Sequence, residues 1–180
     1  MDPAHERNAT INLLQENAAR LENPISPELI PPEGLAFGYA IRGARDAGGV
    51  AVVSIVVSPD GSAKPAAGPG TFGSNGPVAR IILTAMKFDP AIRSAAILRF
   101  SRKAADILEN TMLLECTEPD PASAGRGIST MDWGIASCCR DGVPDAMVYR
   151  TGDGKESRII LFGETPADVA NNIIICSNRI

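Results

Sequence analysis

Histidine is almost missing from this chain. His5 is the only one, and it lies close to the first residue, where chains are poorly tied down. A mechanism that needs an imidazole base has almost nowhere to find one. Basic residues are also in deficit: 17 Lys and Arg stand against 21 Asp and Glu, giving a net charge of −4 and a pI near 5.0. That balance excludes a surface built to neutralise a nucleic-acid backbone, which needs clustered Lys and Arg. No apolar run approaches the ~20 residues of a membrane helix. The opening MDPAHERNAT has neither the basic nor the apolar region of a secretion signal. The expectation is a cytoplasmic protein with neither a membrane nor a nucleic acid as direct partner.

Paired C-x₂-C spacing is absent as well. Cys116, Cys138, Cys139 and Cys176 do not have the spacing of a zinc site, and the adjacent Cys138 and Cys139 point to different faces of whatever element carries them. They read as buried or half-buried free thiols of a reducing compartment. What is present is ordinary: 180 residues, 44% of them apolar and 21% charged, are enough for one core and one domain.

Apolar Ile11, Leu14, Ala18 and Leu21 recur at helical spacing, which predicts an amphipathic helix from His5 to about Asn23, stopped by Pro24 and Pro27. A proline-rich connector, PISPELIPPEG, follows. The run GGVAVVSIVVS is apolar throughout and predicts a central strand covered on both faces, and Asp-Gly in SPDGSAK predicts a turn. Further strands are expected at FGYAIRGA, SAAILRF, MLLECT, AMVYR and RIILFGE. Helices are expected over 77–88, around SRKAADILEN, from Thr130 to about Arg140, and from a capping Thr165 to about Ile175. Alternating strands and helices make this an α/β fold, a single domain with a mixed sheet layered by helices and preceded by the N-terminal helix.

The stretch AGPGTFGSNGPVAR carries the clearest chemical pattern. Glycines allow backbone N–H groups to face a ligand, Ser74 and Asn75 can donate hydrogen bonds, and the helix that follows offers its positive end. Pro77 suits the first helical position, and Arg80 lies about one turn in. The pattern is neither G-x-G-x-x-G nor a P-loop, so a plain surface turn explains it equally well. A second glycine-rich turn, RTGDGKES, brings Arg150, Lys155 and Glu156 between two strands and also reads as a hairpin tip. Trp133, the only tryptophan, stands at a helix start as core or as an aromatic wall. Of the basic residues between 80 and 103, most read as solvated. Arg80 and Arg99 are the exceptions, Arg99 because it ends an apolar strand where α/β sheets place ligands.

Three blocks together resemble the archaeal ThiN-type thiamine-phosphate synthase domain: AAGPGTFGSNGPVARIILTAMKFDPAIRSA, MDWGIASCCRDGVPDAMVYR and GDGKESRIILFGETPADVANNI. Weaker similarity through PPEG and YAIRGARD extends it over roughly residues 7–180. The resemblance divides the chain into an N-terminal helix and connector, 1–33, and a ThiN-like domain, 34–180. Members of the family join a hydroxymethylpyrimidine pyrophosphate to a thiazole phosphate with Mg²⁺, releasing pyrophosphate. That chemistry needs donors and cations on the leaving group, a dry slot for the pyrimidine ring and a grip on the thiazole phosphate. The resemblance therefore implies small phosphorylated ligands. Together with the readings of the loops and strand ends, it puts ligand or phosphate contacts at Gly68, Phe72, Gly73, Ser74, Asn75, Arg80, Arg99, Trp133, Gly134, Lys155 and Glu156.

The pattern also has departures. The family loop carries a histidine just before V-A-R, where this chain has Pro77. The family places an arginine shortly after the Pro-Glu that ends the first connector, where Leu35 or its neighbours stand here, and Ala136 follows Trp-Gly-Ile in place of an acidic residue. The leading reading is a domain that binds thiamine phosphate or a precursor with catalysis weakened or lost. The alternatives are a working synthase that requires Mg²⁺ and uses Arg80 or Arg42 on the pyrophosphate, and a vestigial pocket in a structural partner. Asp89, Asp132, Asp145 and Glu156 are all eligible Mg²⁺ ligands, catalytic residues are not assigned, and a homo-oligomer is left open.

Overall fold

The computed structural model describes residues 3–22, 25–66, 70–74, 76–119, 130–150 and 157–180, without the side chains of 130–133. Helix α1 spans Pro3–Arg20. Strands β1 (Leu35–Ala40), β2 (Val50–Val57), β3 (Ala63–Pro65) and β4 (Thr71–Phe72) lead to helix α2 (Pro77–Phe88) and strand β5 (Ser94–Arg99). After them come helix α3 (Arg102–Asp106), which passes into a π-helical turn at Ile107–Thr111, strand β6 (Cys116–Thr117) and helix α4 (Thr130–Cys138). Strands β7 (Ala146–Tyr149) and β8 (Arg158–Gly163) and helix α5 (Pro166–Arg179) complete the chain.

The strands form one mixed sheet in the order β3-β2-β1-β5-β8-β7-β6, with β4 also pairing β2. Among the described residues, β6 and β7 pair in parallel and the other pairings are antiparallel. Register explains the layers, because alternate residues of a strand face opposite sides. Phe37, Ala96, Leu161 and Ala146 stand in one row across β1, β5, β8 and β7. That row belongs to the core packed against α1, α3 and α5, with Leu14, Ala104 and Ile173. One residue along, Gly38, Ala95 and Phe162 make the row on the other face, under Val78, Ile82 and Ile135 of α2 and α4. A Cβ at Gly38 would lie 2.8 Å from Ile82 Cδ1 and 3.3 Å from the Ala51 carbonyl oxygen, so any side chain there would make the α2 contact shift.

Local signals account for most boundaries. Thr165 caps α5 by accepting from the N–H of Asp168, Asp168 returns the bond to the N–H of Thr165, and Pro166 takes the first position. The Asp-Gly turn is a hairpin between β2 and β3, with Gly61 at φ +85°. Two expectations need correction. β2 lies toward the edge of the sheet, between β1 and the short β3 and β4, and its solvent end is open, with Val57 44% exposed. An apolar run thus marked a strand without marking a central one. MLLECT is a strand only at Cys116–Thr117, because Leu113 adopts a left-handed φ of +57° that breaks extended pairing. Among the described residues, no helix is long and apolar enough to cross a membrane.

Because Leu14, Ala18 and Leu21 share a core with Phe37 and Leu161, α1 is part of the packed body of the domain. Leu14→Ala is expected to cost ~2–5 kcal/mol, the range for emptying a fully buried leucine site. Urea denaturation followed by circular dichroism measures it, and a loss under ~1 kcal/mol would mean that α1 is held only loosely.

Candidate functional site

The glycine loop enters α2 through Thr71–Phe72, which pair with Val52 and Ala51. Gly73 follows at φ +86°, a conformation costly for residues with a Cβ. Its N–H donates to the Ala47 carbonyl at 3.0 Å, so this amide is committed to the neighbouring turn. Gly76 caps α2 without a side-chain bond, and Pro77 occupies the first position with no N–H of its own. The donors left at this helix start are the amides of Val78 and Ala79, as at any helix N-terminus. The half-buried Ser74 lies beside them in sequence, and the exposed Arg80 is in the first turn. Phe72 is covered by α1: the Arg7 guanidinium lies 4.0 Å from its ring centroid. Gly68 and Asn75 lie outside the described residues.

Antiparallel pairing sends other candidates to the opposite end of the sheet. The glycine loop stands beside the start of β2, hence beside the end of β1 and the start of β5. Arg99 ends β5, about 17 Å of strand away at ~3.4 Å per residue. There it faces Arg158 across the β5–β8 pair and lines a cavity of about 440 Å³ with Ile30, Pro31, Gly34 and Val56. Arg158 is spoken for: its Nε and Nη2 donate to Glu33 Oε1 at 3.1 and 2.8 Å, and Nη1 donates to the Ser157 carbonyl at 2.8 Å. Gly134 also belongs to this end, where an added Cβ would lie 3.3 Å from Pro119 Cγ and 3.9 Å from Tyr149 Cδ2. Trp133 precedes it in α4, but its side chain, like Lys155 and Glu156, is outside the described residues. The described candidates therefore form two groups: Phe72, Gly73, Ser74 and Arg80 at one end of the sheet, Arg99 and Gly134 at the other.

Near the glycine-loop end the structure adds residues that the sequence did not single out as a group. Arg42 and Arg93 line both of two neighbouring cavities of about 440 and 450 Å³, between the first turns of α1, the end of β1 and the turn before α5. Arg93, expected to be solvated, is half-buried: its guanidinium stacks 4.7 Å from the Tyr39 ring centroid, and Nε donates to the Ala40 carbonyl at 3.0 Å. The Arg42 N–H donates to Glu6 Oε1 at 2.9 Å, which ties α1 to the cleft. The only signal available in sequence was the place of Arg93 just before an apolar strand.

The carboxylates do not form a described metal cage. Asp89 Oδ1 accepts from the Ala91 N–H at 3.0 Å within a turn, and Asp145 Oδ2 accepts from the Glu115 N–H at 2.8 Å, tying the segment before β7 to the one before β6. The side chains of Asp132 and Glu156 lie outside the described residues, and among the described ones no three His, Cys, Asp or Glu stand together as a metal site.

Comparison with known proteins supplies what geometry alone leaves open. Residues 13–175 match the family model described as thiamine-phosphate synthase ThiN. This chain belongs to the ThiN family. The bifunctional thiamine biosynthesis protein ThiDN of Methanocaldococcus jannaschii is 31% identical over 104 residues, 57% of this chain and 24% of that protein, so this ThiN domain spans about a quarter of that relative. The crystal structure of the C-terminal domain of protein MJ0236 superposes with a TM-score of 0.84 at 26% identity, covering 96% of this chain and 95% of that one. The C-terminal domain of a phosphomethylpyrimidine kinase gives 0.79 at 26% identity, covering 97% and 100%.

The thiols of this ThiN domain are suppressed. All four cysteines are free, Cys139 and Cys176 buried, Cys116 and Cys138 half-buried. Burial, with Glu109 and Asp145 nearby, pushes the Cys116 thiol up to about 11 from 9.0. At pH 8 its thiolate fraction should be roughly 100-fold below that of an unshifted thiol, tenfold per pKa unit. Alkylation of the folded protein with iodoacetamide should be correspondingly slow and still rising with pH above 9. A Cys116 rate equal to that of the urea-unfolded chain at pH 8 would contradict this.

Proposed function

We propose that this ThiN domain binds thiamine phosphate, or a phosphorylated pyrimidine or thiazole precursor, with the transferase step weakened or lost. Family membership supports the link to thiamine biosynthesis. One observation carries the rest: the first residue of α2 is Pro77, exposed, with no polar side-chain group and no N–H, where the family resemblance leads one to expect histidine. Leu35, near the place expected for a family arginine, is fully buried in the core and offers no polar group either.

In this reading Arg80, Ser74 and the amides at the start of α2 hold a phosphate, since cations and oriented N–H groups suit an anion that stays bound. Departure of pyrophosphate asks for more, because charge grows on the leaving oxygen as the bond to carbon breaks. Mg²⁺ would supply that stabilisation in an active synthase. Asp89 and Asp145 each accept a backbone N–H, and among the described residues no three His, Cys, Asp or Glu stand together to hold the ion. A ligand held without turnover is what a sensor or carrier requires, whereas tight product binding slows an enzyme.

The test is formation of thiamine phosphate from hydroxymethylpyrimidine pyrophosphate and thiazole phosphate with Mg²⁺, read as fluorescent thiochrome, for the unaltered chain beside Pro77→His. Little or no product from the unaltered chain, with calorimetric binding of thiamine phosphate, is the expected result. Robust turnover would make it a working synthase. Arg80→Ala should weaken thiamine phosphate about tenfold, the scale of one charge-assisted hydrogen bond, with the melting temperature unchanged. Equal affinity would remove Arg80 from the site.

A further inference from the structure

We propose that Arg42 and Arg93 form a second anion site, which takes the phosphate or diphosphate group of a small molecule in the cleft between α1 and the end of the sheet. This does not depend on the proposed thiamine-phosphate site at Ser74 and Arg80, although Arg42 is also a residue that the working-synthase alternative places on pyrophosphate.

Arg93 is held in place before any ligand arrives. One face of its guanidinium lies on Tyr39 and its Nε is bonded to the Ala40 carbonyl, while no ion pair or hydrogen bond engages its two terminal amino groups among the described residues. A stacked guanidinium, fixed through Nε, presents its remaining donors as a rigid fork that suits phosphate oxygens and loses little entropy on binding. Arg42 lies on the same two cavities with its guanidinium likewise free of an ion pair among the described residues, and its backbone is fixed by Glu6.

The surroundings limit what fits. Glu6 lines one cavity and Glu164 the other, so the cleft is not uniformly positive and would repel an extended polyanion. Thr10 lines the first cavity beside Ala9 and Leu13, which provide apolar wall for the organic body of a ligand. Two cavities of about 440 and 450 Å³ sharing a cationic wall give more room than a lone ion requires, which favours a phosphate ester over free phosphate.

The probe is inorganic pyrophosphate, titrated calorimetrically without Mg²⁺ into the full chain and into Arg42→Ala. Arg42 is exposed, so its removal should leave the melting temperature in place. Binding by the unaltered chain, weakened at least tenfold in Arg42→Ala but not in Arg102→Ala, which removes the same charge from α3, is the expected pattern. Arg93→Lys keeps the charge and loses the fork, and should weaken binding as well. No binding by the unaltered chain, or equal affinity in Arg42→Ala and Arg93→Lys, overturns the site. Either failure would leave the thiochrome and thiamine-phosphate results untouched, so the two readings can fall separately.

Discussion

Antiparallel pairing of β1, β5 and β8 is the constraint on which the rest of this domain depends. It aligns Phe37, Ala96 and Leu161 on one face and Gly38, Ala95 and Phe162 on the other, and so separates two cores across a single sheet. The small residues matter as much as the large ones. Ala95, Ala96 and Gly38 at the sheet centre allow helices to approach both faces closely, and interiors packed at crystal density leave little slack for anything bulkier.

The same pairing decides which loops can cooperate. In an all-parallel α/β sheet the strand C-termini gather at one edge, and residues ending different strands meet there. Here consecutive central strands run in opposite directions, so Arg99 ends its strand far from the loop that enters α2. What gathers instead is the end of β1, the start of β2, the start of β5 and the turn before α5, with the first turns of α1 laid over them. Arg7 on Phe72 and Glu6 on the Arg42 amide make the N-terminal helix a wall of this region as well as a contributor to the core.

Electrostatics follow from that arrangement. A chain with net negative charge still concentrates arginine where two cavities meet, and it immobilises one of them by stacking and a backbone bond. At the opposite end, Arg158 is neutralised by Glu33 and Arg150 by Glu118 at 2.6 Å, with Arg150 also over Phe100. Among the described residues, Arg150 and Arg158 at one end are paired internally, while at the other Arg42 and the terminal donors of Arg93 have no ion pair.

The sequence by itself determined most of the element types, the capped start of α5, the Asp-Gly turn and, through its three blocks, the family. Each of these depends on neighbours in the chain: helical periodicity at Leu14, Ala18 and Leu21, a cap at Thr165, a left-handed turn at Gly61. It also located the glycine loop and the proline that replaces the expected histidine. Tertiary structure decided what distant segments do to one another. It moved the apolar β2 toward the edge, turned MLLECT out of extended pairing through Leu113, committed the Gly73 amide to Ala47, and set Arg99 apart from Arg80. It also joined Arg42 and Arg93, which no spacing rule pairs. Strand direction and register are long-range choices, fixed by packing two faces at once, and a local pattern of residues carries no record of which end of the sheet a loop will share.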